Sequence, residues 1–266
     1  MEQQQRQTNS AVDMDRKLSA DDSFQFACGP HVPCFTECCA KLELMLTPYD
    51  CLRLKNRLGI TSGEFLDAYA AVRWRTAHGF PEVLLNMNPE GERRCPFVTP
   101  QGCSLYEDRP AACRIYPLGR ASTSHPMDGS RREFYFTVRE EHCRGFEETR
   151  QWTVREWLSD QGLEEYNRLN DLLMELYVLK SRGRAVPLEE KHLQMFFMAC
   201  YNTEKFRDFI FNSPFLQRFD LKESLVGALR TNDTELLEFA FRWLRFALFR
   251  EPVLTVKGMP GNASRA

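Results

Sequence analysis

The chain has 266 residues, 43% apolar and 12% aromatic, enough to bury one substantial core or two modest ones and too many for a disordered tether. Thirty-five Lys and Arg against 37 Asp and Glu leave a net charge of −2, so no overall basic field draws it to nucleic acid or to an acidic membrane surface. No apolar run reaches the ~20 residues of a spanning helix, since the best stretch, Leu236 to Phe249, is broken by Arg242 and Arg245.

Residues 1–20, beginning MEQQQRQTNSAVDMDRK, carry scattered charge without apolar periodicity and read as a flexible leader. They lack the apolar centre of a secretory signal, which makes the cytoplasm the expected location. FACGPHVPCFTECC, from Phe26, is dense in turn formers and reads as an irregular ligand loop. Thr47-Pro48-Tyr49-Asp50 predicts a capped helix start, with Leu52, Leu54 and Leu58 following and Gly59 ending it. A second short helix starts at Thr61 or Ser62, with Phe65, Leu66 and Tyr69 on its apolar side. The two are expected to form a helical hairpin behind the first cysteines.

From 80 to 132 the chain is rich in Pro and Gly, so regular structure should be sparse and something other than hydrogen-bond ladders should fix the backbone. Phe134 to Val138 is aromatic and β-branched and predicts a short strand. Thr153-Val154-Arg155-Glu156 fits a capping box, and an amphipathic helix follows over 163–180. Gly183 to Pro187 interrupts, and helices are predicted over 188–201, 203–212, 221–230 and 233–249. The expected fold is mainly α, with irregular Cys-rich loops, at most a small β element and a metal-stabilised N-terminal domain. The expected divisions are a leader (1–20), a cysteine-cluster domain (21–160), a helical region (161–250) and a flexible tail (251–266).

Of ten cysteines, Cys51 and Cys200 sit among helical apolar residues and read as core fillers. The other eight run C28-x5-C34-x3-C38-C39, C95-x7-C103-x9-C113, then C143. In a reducing compartment such a cluster points to metal binding rather than to structural disulfides. Iron–sulfur clusters and zinc both accept four thiolates, so eight could hold two centres or supply one with spares. Successive side chains diverge, so the adjacent Cys38 and Cys39 are expected to serve different centres or roles. The absence of a C-x2-C knuckle and the long irregular loops favour iron–sulfur over zinc. Between Lys55 and Lys180 there are fifteen arginines and no lysine, among them Arg93, Arg94, Arg109, Arg114, Arg139 and Arg144. Their planar donors could offset thiolate charge, although arginine exceeds lysine across the whole chain.

The block CPFVTPQGCSLYEDRPAACRIYPLG over 95–119, with the earlier CFTECC and LTPYDCLRLKNRLGI, resembles the YkgJ-type cysteine cluster family, by its description a zinc- or iron-chelating domain. The similarity runs from about Phe26 to Gly145. It implies metal or cluster binding through Cys28, Cys34, Cys38, Cys39, Cys95, Cys103 and Cys113, with Cys143 as the natural later ligand. The first motif departs from the family's C-x2-C-x2-C-C, having gaps of five and three. Flagellin lysine methylases carry a related motif, which keeps a cluster-dependent protein methylase as an enzymatic alternative, yet no glycine-rich methyl-donor motif is present.

His31 and His142 lie beside cysteines and read as bystanders rather than ligands. Tyr106 to Pro110 reads as a turn holding Cys103 and Cys113. The stripe Phe239, Phe241, Trp243, Phe246 and Phe249 reads as core. Hydrolase and nucleotide-driven chemistries have no residue support, and thiol–disulfide exchange by the Cys38-Cys39 pair would need a strained ring. Iron–sulfur binding, with a role in electron transfer or maturation, is the leading expectation, and a structural zinc module is the alternative.

Overall fold

A computed structural model of the chain describes residues 10–258 apart from 75, 78, 91, 125–130 and 184–187. The first nine residues of the expected leader, the end of the expected tail from 259, and residues 184–187 of the expected break between helices lie outside the described residues. The chain divides into two compact units, one of Met1–Leu42 with Met87–Glu165, the other of Glu43–Asn86 with Tyr166–Ala266.

The first unit is built on an antiparallel three-stranded sheet in the order Ser10–Leu18, Arg131–Glu140, Leu118–Ser124. The strand predicted over 134–138 is the middle of the central one, and it has a partner on each side, with Val12 opposite Val138 and Leu118 opposite Thr137. This corrects two expectations. Ser10–Leu18 is a paired strand rather than leader, because its backbone completes the edge of 131–140. The β content also exceeds one small element, since five small sheets occur among the described residues, although helix remains the larger share.

Leu18, Leu118 and Tyr135 of these strands join Phe24, Phe26, Trp152, Val154 and Trp157 from neighbouring segments in one core. Its aromatic rings meet edge to face, with Phe26 and Trp157 centroids 5.7 Å apart and Trp152 and Trp157 5.2 Å apart. Both indoles are satisfied: Trp152 Nε1 donates to the Phe26 carbonyl and Trp157 Nε1 to the Ile115 carbonyl, each at 3.0 Å. Cys143, Tyr116 and Phe146 pack on the margin of this core.

In the second unit the predicted caps form as expected. Thr47 and Asp50 make a capping box for helix Pro48–Leu58, which Gly59 ends at φ 68°, and Thr61 and Glu64 make one for Ser62–Tyr69. This hairpin packs with the C-terminal helices, not in the cysteine unit, because Leu46, Leu54 and Phe65 are fully buried there. Lys55 is buried and reaches Glu204 at 3.0 Å and Asp233 at 2.8 Å, tying the hairpin to two later helices.

Helices Glu164–Ser181, Glu190–Tyr201, Thr203–Phe211, Glu223–Thr231 and Asp233–Phe249 follow the predicted spans, and a four-residue helix, Phe215–Arg218, is added. Phe239, Phe241, Trp243 and Phe249 are core, and the half-buried Phe246 packs on Phe219. Thr255–Val256 pairs with Phe219–Asp220 and Leu254 is buried, so the start of the expected tail is ordered structure.

Candidate metal centre

All eight clustered cysteines fall in the first unit, and the two assigned to the core, Cys51 and Cys200, fall in the second, each 4% exposed. Cys28 and Cys113 are exposed, and Cys34, Cys38, Cys39, Cys95, Cys103 and Cys143 are partly so. The thiols available to solvent are therefore the clustered ones.

One group forms where segment 26–28 runs beside 143–150. Ala27 N–H donates to the Gly145 carbonyl and Phe26 N–H to the Arg150 carbonyl, both at 3.0 Å. Gly145 makes this approach possible, since a Cβ there would lie 2.4 Å from the Phe26 ring and 2.6 Å from the Ala27 oxygen. The Arg144 N–H points at Cys34 Sγ, 3.1 Å away. Cys28, Cys34 and Cys143 are consequently mutual electrostatic neighbours.

A second group is held by separate backbone bonds. Cys95 N–H donates to the Cys39 carbonyl at 2.7 Å, Lys41 N–H donates to the Arg93 carbonyl at 2.9 Å, and Ala40 bridges Arg94. A tight hairpin sets Val98 opposite Cys103, turning through Gly102 at φ 116°. Cys39, Cys95 and Cys103 are thereby brought into one neighbourhood. Cys38 faces Cys39, Cys28 and Cys113, so the two groups adjoin. Among the described residues no three His, Cys, Asp or Glu side chains are drawn around one point as a bound ion would hold them.

The loop carrying Cys28 to Cys39 is a run of turns, with Val32 N–H to Gly29, Phe35 N–H to Val32, Glu37 N–H to Cys34 and Cys39 N–H to Thr36. Thr36, Lys41 and Arg93 all take positive φ, at 69°, 58° and 54°. Each position is costly for a residue with a Cβ, and each lies close in sequence to a clustered cysteine, Thr36 to Cys38, Lys41 to Cys39 and Arg93 to Cys95. Arg94 pins Thr36 by donating to its carbonyl and its hydroxyl at 3.2 and 3.0 Å.

Backbone amides are aimed at several sulfurs. Phe97 and Val98 serve Cys95, Leu105 serves Cys103 and Gly145 serves Cys143, and each of these bonds favours the thiolate. Burial and neighbouring sulfurs oppose them. Cys28 and Cys95 are each pushed up to about 11, mainly by burial, with Cys34, Cys143 and Cys39 adding to the first and Cys39 and Cys103 to the second. Cys39 goes the other way, to about 7, because the Cys38 thiol donates towards it and Arg94 lies near. Cys38, as that donor, is pushed up. The Tyr116 hydroxyl is buried facing the Cys143 sulfur and the Glu140 backbone, with no well-formed hydrogen bond to either.

Eight thiols gathered in one unit, with amide N–H groups directed at their sulfurs, are a donor set suited to zinc or to iron–sulfur clusters. Both histidines lie beside carboxylates. His31 Nε2 lies 3.7 Å from Glu148, and His142 Nε2 lies 3.3 Å from Glu140. Tyr106–Asp108 forms the turn expected between Cys103 and Cys113. Arg114, only 6% exposed, braces it by donating to the carbonyls of Glu107, Arg109 and Gln161. Tyr116, Gly145 and Gln161 were not legible as parts of the site, because their roles depend on contacts between distant segments.

The geometry gathers a thiol-rich group of side chains in one unit. Residues 27–144 match the model of the CxxCxxCC family, described as "Putative zinc- or iron-chelating domain", which agrees with metal binding by this stretch. No curated protein and no solved structure matches the chain. No described helix is long and apolar enough to cross a membrane.

Proposed function

We propose that the chain is an iron–sulfur protein whose eight thiols divide into two sets of four, Cys28, Cys34, Cys38 and Cys143 in one, and Cys39, Cys95, Cys103 and Cys113 in the other. The function resides within residues 21–160, and its chemistry is electron transfer or maturation in a reducing compartment such as the cytoplasm. The observation that carries this reading is the pair of cysteine triads, each tied by its own backbone hydrogen bonds, with Cys38 and Cys39 at their junction. Adjacent side chains that diverge suit two neighbouring centres better than one. Cys38 adjoins both Cys28 and Cys113 and completes the first set, while Cys113 is grouped with Cys103, both facing the Arg109 guanidinium that also lies near Cys28.

Anaerobic purification followed by iron and acid-labile sulfide analysis, visible absorption and Mössbauer spectroscopy tests the proposal. Coloured protein with matching iron and sulfide is the expected result. Colourless protein with stoichiometric zinc would replace it with a structural zinc module, and reduced protein holding neither metal would overturn metal binding altogether.

A further inference from the structure

Arg109 is 8% exposed, and its acceptors, the Tyr106 carbonyl and the Gln161 side-chain oxygen, are neutral. Its guanidinium also lies 3.7 Å from the centre of the Tyr106 ring. No carboxylate pairs with Arg109 among the described residues. Arg114 is close enough to repel it. Guanidinium stays charged under all ordinary conditions, and a buried cation held only by dipoles is a costly arrangement. The groups it faces that can become anions are Tyr106 and the thiols of Cys103, Cys113 and Cys28.

Four thiolates around one divalent ion sum to about two net negative charges, and a cluster in the same ligand set is also anionic. The charge Arg109 lacks is therefore the charge that loading with metal would create beside it. We propose that Arg109 is a positioning residue that offsets the charge of the Cys103 and Cys113 thiolates and of the neighbouring Cys28, held without an anionic partner until metal converts those thiols to thiolates. The proposal rests on the metal-binding reading and adds to it a specific counter-charge.

The coupling between Arg109 and metal has a sign that a merely structural role would not share. The test uses the full chain, reduced, with Zn2+ as the probe competed against a chromophoric chelator, and thermal melting of metal-free and Zn2+-loaded protein. Arg109→Gln is expected to weaken Zn2+ binding about 10- to 100-fold and to lower the melting temperature of the loaded protein. The metal-free protein is expected to melt at the same temperature or higher, because an uncompensated buried charge has been removed. Arg109→Lys keeps the charge and should retain most of the affinity, while Arg109→Met serves as a second uncharged variant should the glutamine form fail to fold.

Unchanged Zn2+ affinity, equal loss of melting temperature in both states, or a lysine variant as weak as the glutamine one would each overturn the role of Arg109. Wild-type protein that takes up no Zn2+ and no iron would instead overturn the metal-binding reading on which it rests.

Discussion

Gly145→Ala tests the packing that holds Cys28, Cys34 and Cys143 together. A methyl group there would stand 2.4 Å from the Phe26 ring and 2.6 Å from the Ala27 carbonyl oxygen, well inside van der Waals contact. Phe26 is 2% exposed and wedged between Trp157, Tyr116 and Phe146, so the ring has nowhere to turn and the backbone must separate. Overpacking of this kind costs about 1–3 kcal/mol. Losing the hydrogen bond from Ala27 to Gly145 adds about 1 kcal/mol, for a total of about 2–4 kcal/mol. Urea unfolding of metal-free protein measures this, and metal analysis should show the first set of four losing its metal before the second. Gly227→Ala is the control, since nothing lies within 4 Å of a Cβ there and helix Glu223–Thr231 should gain about 1 kcal/mol. A Gly145→Ala protein that unfolds at the wild-type urea concentration and keeps all its metal would refute the reasoning.

Cys95→Ser and Cys113→Ser should each reduce bound metal and melting temperature together, because ligation organises loops with little core of their own; wild-type metal content and melting in both would remove these ligands. Metal uptake should release protons and tighten as pH rises from about 6 to about 8, since burial holds the Cys28 and Cys95 thiols up at about 11 in the metal-free protein. An affinity independent of pH would count against thiolate ligation. Lys55→Met leaves Asp233 and Glu204 without their shared cation. Breaking a fully buried pair costs about 3–5 kcal/mol, and the 36% exposure of the Glu204 side chain lowers this towards about 2 kcal/mol, measurable by urea unfolding at neutral pH. Burial raises both carboxyl pKa values, but hydrogen bonds from Lys55 to both, from Arg207 to Asp233 and from Ser62 to Glu204 outweigh it and hold them low. Their stabilising effect is therefore complete above about pH 5 and is lost as pH falls through the lowered values; the acid midpoint should move up in Lys55→Met, and an unmoved midpoint would contradict this.

Local chemistry made much of the chain legible. The boxes at Thr47, Thr61 and Thr153 each need only four consecutive residues, and all three open helices where predicted. The order and spacing of the cysteines likewise separated the eight clustered thiols from Cys51 and Cys200, which lie in another unit. What escaped was non-local. Ser10–Leu18 has polar, leader-like composition and becomes a strand only by pairing with a segment more than a hundred residues away. Segment 43–86 lies between ligand-bearing stretches, yet joins the C-terminal helices through Lys55 and through Tyr201, whose hydroxyl meets the Leu46 carbonyl at 3.3 Å. The close approach at Gly145 needed Phe26 and Ala27 in place before a single glycine could acquire meaning.

The interleaving of the two units bears on any attempt to trim this polypeptide. A fragment bounded by the family match at 27–144 would discard Ser10–Leu18, baring one edge of its central strand. It would also remove the C-terminal helices that pack on the hairpin carrying Leu54 and Phe65, exposing part of an interior. The stretch recognised by the family model is thus shorter than the set of segments that share its cores.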